Sequence, residues 1–134
     1  LKNNKYADKA SSILVNAASV QIFSCKYLLE ILLYELTDNA IKFSKSDTTI
    51  IISVNKISEG VLFSFSNHNI YITNDQINKY KPFQQYNRPE QEQQGVGIGM
   101  AIVDLITQFL NGSINYSLVD NVLTIQIKIK NHDE

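Results

Sequence analysis

The chain is poor in residues that mark special classes of protein. Its 134 residues include one cysteine, one methionine, two prolines, two histidines and no tryptophan. A single cysteine, Cys25, cannot close an internal disulfide, so a disulfide scaffold is excluded and a reducing, cytoplasmic compartment fits. With no motif partner near it, Cys25 reads as a plain buried or half-buried thiol. An excess of one charge is also missing, because 12 Lys and Arg stand against 13 Asp and Glu for a net charge of −1. No run of Lys or Arg forms a basic stripe, so nucleic acid is not an expected partner. The longest apolar stretch, Tyr27 to Leu36, is interrupted by Glu30 and Glu35, which excludes a membrane span there. No charged-then-apolar leader with a small-residue cleavage site opens the chain. It starts at Leu1 and not at Met, so we expect a piece of a longer protein.

Hydrophobic residues make up 44% of the chain, enough for one core in a domain of this length. Residues 1–18 read as a linker or short helix, 19–130 as the domain and 131–134 as a tail. Ser19 to Phe23 alternates and predicts a short strand. Helical spacing runs from Lys26 to Ser44, with Ser24 as the expected N-cap. Thr48 to Val54 is β-branched, Ser58-Glu59-Gly60 makes a turn, and Val61, Phe63 and Phe65 alternate, so these segments predict a hairpin. Asn67 to Asn74 reads as irregular and Asp75 to Tyr80 as a short helix ending before Pro82. Residues 84–94 hold almost nothing to bury and read as a mobile loop. A second helix is expected from Gly97 to Leu110, stopped by Asn111-Gly112. Ser113–Leu118 and Val122–Lys130 alternate around Asp120-Asn121 as a closing hairpin. Helices on one face of a mixed, mostly antiparallel sheet make an α+β, two-layer α/β sandwich.

Two segments stand out chemically. Gly95, Gly97 and Gly99 are three of only five glycines in the chain, and they open the second helix. Without Cβ atoms a backbone can come close to a phosphate, and N–H groups at a helix start favour anions. The alternative is a loop packed tightly on the sheet. The block lacks the strand-then-turn context of a dinucleotide fingerprint and the Lys-Ser/Thr ending of a P-loop. On the first long helix Glu35 and Asn39 are four apart and Lys42 three further on, so they share a side. Such a polar stripe is either a solvent face or a site. An amide oxygen suits Mg²⁺, and a carboxylate beside it can position or deprotonate a hydroxyl or water.

The segment Glu35-Leu36-Thr37-Asp38-Asn39-Ala40-Ile41-Lys42-Phe43 resembles the N-box of the catalytic ATP-binding domain of sensor histidine kinases, in the wider GHKL ATPase superfamily. Gly95-Val96-Gly97-Ile98-Gly99-Met100-Ala101-Ile102-Val103 resembles that family's second glycine box. Pro82-Phe83 is similar in position to its phenylalanine box, ahead of the ATP lid. Order and spacing agree from about residue 19 to 130. The resemblance implies a Bergerat-type ATP-binding fold using ATP and Mg²⁺, in a protein histidine kinase of two-component signalling. It implies that Asn39 coordinates Mg²⁺, Glu35 orients or activates the attacking group, and Lys42 approaches a phosphate. Gly95, Gly97 and Gly99 would cradle the phosphates, with Asn67, Ile72, Phe83 and Met100 also lining the ATP site. Arg88, in the lid, would reach the γ-phosphate or stay a solvated cation. The implied partners are a phosphoacceptor histidine domain, in cis or in trans, and a response-regulator receiver domain.

The pattern departs from the family at its first glycine box, an Asp-x-Gly-x-Gly that reads the adenine amine. Strand phase puts Asn67 at the Asp position, with Asn69 and Tyr71 replacing the glycines; counting back from Pro82-Phe83 puts Ser66 there instead. An Asn carbonyl still accepts a hydrogen bond but without the strengthening charge. A Thr often found in the family's last strand is replaced in phase by Leu123, with Thr124 pointing away. His68 lacks the acidic, helical context of a phosphoacceptor, and His132 lies in the polar tail. Two functions therefore compete. One is a kinase domain delivering the γ-phosphoryl group to a histidine outside the chain. The other is a degenerate, nucleotide-poor docking or scaffold domain in a phosphorelay.

Overall fold

The computed structural model describes residues 12–69 and 97–131. The expected short helix at 75–80, the loop at 84–94 and the tail with His132 lie outside the described residues. Among the described residues there are five strands and two helices: β1 (Ser12–Ala17), α1 (Lys26–Phe43), β2 (Thr49–Ile57), β3 (Gly60–His68), α2 (Gly97–Phe109), β4 (Ser113–Val119) and β5 (Val122–Lys130). They form one sheet in the order β1-β2-β3-β5-β4. β1 runs parallel to β2 and every other pair is antiparallel. The architecture is the expected α+β sandwich, with both helices on one face.

Alternation explains that face. Val61, Phe63, Phe65 and Asn67 of β3 and Leu123, Ile125, Ile127 and Ile129 of β5 are buried, and they sit opposite one another across the β3–β5 pairing. The intervening residues turn the other way, where Ser66 Oγ and Thr124 Oγ1 hydrogen-bond at 2.9 Å. α1 buries Leu32, Leu36, Asn39, Ala40 and Phe43, a stripe at helical spacing that packs onto the sheet and α2. Met100, Val103 and Ile106 of α2, with Leu110 just beyond its end, close the core.

The turns follow from their residues. Asp120 and Asn121 both have positive φ, 51° and 66°, the two-residue hairpin geometry that Asx residues tolerate best after glycine. α2 ends on Asn111 at φ 56°, with Gly112 N–H donating to Thr107 O at 2.8 Å and Asn111 N–H to Gln108 O at 3.0 Å, a Schellman ending. A Cβ on Gly112 would stand 2.3 Å from Lys128 O, so the chain can pass β5 there only as glycine.

Four local expectations are corrected. The edge strand is Ser12–Ala17, inside the segment read as linker or helix, while Ser19–Phe23 is unpaired. Val20 and Ile22 still pack against the core, which accounts for the alternation without a strand. The N-cap of α1 is Cys25 and makes no side-chain capping bond; its carbonyl accepts the first helical bond from Leu29 N–H at 3.0 Å. Cys25 is exposed, not buried, and Ser24 Oγ is a buried hydroxyl with no hydrogen-bond partner. Finally, β3 continues through His68, and Asn69 bridges to Ser44, where an irregular segment was expected.

Candidate functional site

The end of α1 is tied to the end of β3. Ser44 leaves the helix in extended conformation, its Oγ donating to Ile41 O at 3.1 Å. Lys45 N–H then donates to His68 O at 2.7 Å, and Asn69 N–H to Asn121 O at 2.7 Å. These bonds satisfy helix-end and strand-end groups that would otherwise need water. They also bring the last turns of α1 to the end of the sheet where Asn67 sits.

Against this end of α1 lies the first turn of α2. A Cβ on Gly99 would stand 2.9 Å from Glu35 Oε1, so the carboxylate occupies space that any larger residue at 99 would contest. One helical turn on, Asn39 Nδ2 donates to Met100 Sδ at 3.6 Å. Asn39 is 7% exposed and Met100 4%. The fold therefore joins two motifs that are 61 positions apart. At the helix start the first backbone N–H groups have no partner within α2, and its first turn holds no acidic residue, an arrangement that favours an incoming anion.

Lys42 is placed differently. Its Nζ lies 3.9 Å from Asp38 Oδ2, an i,i+4 pair on α1, worth a few tenths of a kcal/mol. Asn67 is 4% exposed, lies in the helix-facing row of β3 opposite Leu123, and donates weakly from Nδ2 to His68 O at 3.5 Å. Ser66, the other candidate for that position, faces away with Thr124. His68 is itself exposed, and its backbone carbonyl makes the contacts. Of the remaining expected residues, Gly97 starts α2, while Ile72, Tyr71, Phe83, Arg88 and Gly95 lie outside the described residues.

Sequence reasoning missed one titratable contact. Asp104 on α2 accepts from Tyr116 Oη at 3.5 Å, and burial pushes its carboxyl up to about 6, the Tyr116 hydrogen bond opposing the shift. No motif links a helix residue to a strand residue across a turn, so only the fold reveals the pair. Asp38 and Lys42, by contrast, carry a readable i,i+4 signature.

Solved structures of histidine kinases share this fold. The chain superposes on the catalytic domain of histidine kinase ThkA with a TM-score of 0.77 at 17% identity, covering 98% of this chain and 86% of that one. It is similar to histidine kinase AdeS of Acinetobacter baumannii (TM-score 0.74, 22% identity, 97% of this chain), and spans 59% of that protein's chain. The mycobacterial sensor histidine kinase MprB is similar at 17% identity and a TM-score of 0.70, with 90% of this chain and 82% of that one covered. No curated protein matches the chain by sequence. The family described as histidine kinase-, DNA gyrase B- and HSP90-like ATPase matches residues 26–132, and the chain belongs to it. ATP is accordingly the nucleotide of this domain family.

Proposed function

We propose that the chain is the ATP-binding catalytic domain of a two-component sensor histidine kinase, and that it supplies the γ-phosphoryl group to a histidine on a phosphoacceptor domain. The observation that carries this reading is the convergence of Glu35 and Asn39 on Gly99 and Met100. A nearly buried amide and a carboxylate against a glycine at a helix start fit a phosphate and its cation. Among the described residues no three His, Cys, Asp or Glu side chains cluster as metal ligands. Mg²⁺ would then be held by the Asn39 Oδ1 with phosphate and water oxygens, a coordination this ion prefers.

When bound, Mg·ATP supplies the transferable phosphoryl group and neutralises its charge. The protein's own part is positioning. Glu35 orients the attacking group or takes its proton, the α2 N-terminal amides hold phosphate oxygens, and Lys42 turns from Asp38 toward phosphate. Asn67 accepts from the base. Gly95, Ile72, Phe83 and Arg88 complete the nucleotide site, and a receiver domain is the eventual phosphate acceptor. The scaffold reading is less well supported, because docking makes no use of a glycine that seats a carboxylate at a helix start. Among the described residues no helix is long and apolar enough to cross a membrane.

Calorimetric titration with ATP, with and without Mg²⁺, tests the reading beside Asn39→Ala. Mg²⁺-dependent binding is expected, weakened at least ten-fold (about 1.4 kcal/mol) by the substitution. Wild-type protein that binds no nucleotide at millimolar concentration, or an Asn39→Ala protein that binds as well as wild type, would refute it.

A further inference from the structure

An asparagine side chain has two ends of nearly equal shape and opposite hydrogen-bonding character. For Asn39 to hold a cation, its oxygen must face the ion, and nothing in the residue itself decides which way the amide points. The neighbour that decides is a sulfur. Met100 Sδ lies 3.6 Å from Asn39 Nδ2, and a thioether accepts a hydrogen bond but cannot donate one. Turning the amide over would replace N–H···S by an oxygen facing a sulfur lone pair, losing the side-chain hydrogen bond that Asn39 makes among the described residues. Both residues are more than nine-tenths buried, so water does not readily replace that bond. Leucine would fill nearly the same volume without a lone pair.

We infer that Met100 is a positioning residue: its sulfur pins the NH₂ end of the Asn39 amide and so presents Oδ1 to the cation. The inference rests on the Asn39 role proposed above. It also gives the chain's one methionine a task that core packing alone does not require. Gly99, beside it, leaves the space that Glu35 occupies, so successive residues of α2 set the two polar side chains of α1.

The test uses Met100→Leu and, as a still smaller change, replacement of methionine by norleucine, which exchanges sulfur for CH₂ at position 100. In nucleotide-free protein the Asn39 side-chain amide resonances, assigned by their loss in Asn39→Ala, are expected to shift in both variants while thermal stability is kept. Mg·ATP affinity is expected to fall about five-fold, the worth of one neutral hydrogen bond, a clearly larger loss than that of affinity for ATP in EDTA. In an Asn39→Ala background Met100→Leu should have no further effect. Unmoved Asn39 resonances, equal losses with and without Mg²⁺, or additive losses in the double variant would each overturn the inference. Wild-type protein that does not bind Mg·ATP would instead strike down the functional reading, and the resonances would still report whether the sulfur orients the amide.

Discussion

The two ends of the α1–α2 pair are built from the same helices and are opposites. At one end Gly99 lets the Glu35 carboxylate come against backbone, and Met100 holds the Asn39 amide. At the other, where α1 begins and α2 ends, Leu28, Leu105, Ile106 and Phe109 line an apolar cleft of about 320 Å³. Phe109 is 73% exposed, Leu105 61% and Tyr27, nearby in α1, 75%. The helices therefore run antiparallel, with Gly99 and the polar pair Glu35 and Asn39 at one end and the exposed apolar Tyr27, Leu105 and Phe109 at the other. Close polar contact at the first end is a product of residue choice at two positions of α2, not of helix packing in general.

The sharpest way to break this contrast is Gly99→Ala. The new Cβ would meet Glu35 Oε1 at 2.9 Å, and the carboxylate, as the far end of a flexible side chain, would move aside. Alanine favours the helix over glycine by up to about 1 kcal/mol, so stability should hold or rise. If Glu35 has the role proposed for it, phosphoryl transfer should drop by roughly ten- to a hundred-fold, because a small misplacement of a reacting group is costly. Thermal melting and single-turnover transfer to a histidine acceptor check the two halves. A variant that transfers at the wild-type rate would mean that the seat for Glu35 has no functional weight.

That contrast was only half legible beforehand. The spacing of Glu35 and Asn39 on one helix and the glycine block on another can be read from the chain, and so can the inward rows of β3 and β5. Their meeting in one site is implied by the family resemblance and not by spacing, since it depends on how α1 lies across α2. The edge strand shows the opposite failure. Ser12–Ala17 carries Ile13, Leu14 and Val15 in a row, half exposed on both faces, so it has no alternation to detect. Ser19–Phe23 has alternation because Val20 and Ile22 reach the core, yet its backbone finds no ladder. Periodicity reports which side chains are buried, and only a partner strand makes them a sheet. For the same reason Ser24 suggested a cap: its residue type was right, but the helix opens one residue later.

Asp104 lies between the two ends of α2 and predicts a smaller, pH-dependent effect. Its folded value of about 6 lies above the 3.8 of an unperturbed carboxyl, so the folded state holds the proton more tightly. Ionising it in the fold costs stability, a cost absent below pH 3.8, growing between 3.8 and 6, and complete above 6. Asp104→Asn keeps an oxygen for Tyr116 and removes the charge. With partial solvent screening taken into account, it should stabilise the domain by about 1 kcal/mol at pH 7 and by nothing measurable at pH 3.5. Urea unfolding at the two pH values checks this. Equal stabilisation at both would point to packing, not charge, as the cause.

The smallest expected effect comes from the apolar end. Because Phe109 is 73% exposed, most of its ring is already in water, and Phe109→Ser surrenders only the part that lines the cleft with Leu28. Phenylalanine and serine have similar helix propensities, so the helix end itself is not at stake. Stability should change by less than about 1 kcal/mol, solubility should rise as an exposed aromatic is lost, and Mg·ATP affinity should stay within two-fold of wild type. Calorimetry on the variant decides the matter. An unchanged affinity means the two ends of the helix pair act independently, as their contacts indicate. A clear loss would mean that packing at Phe109 and Leu28 is transmitted along α2 to Gly99 and Met100, and that the helices behave as one lever with the site at its far tip.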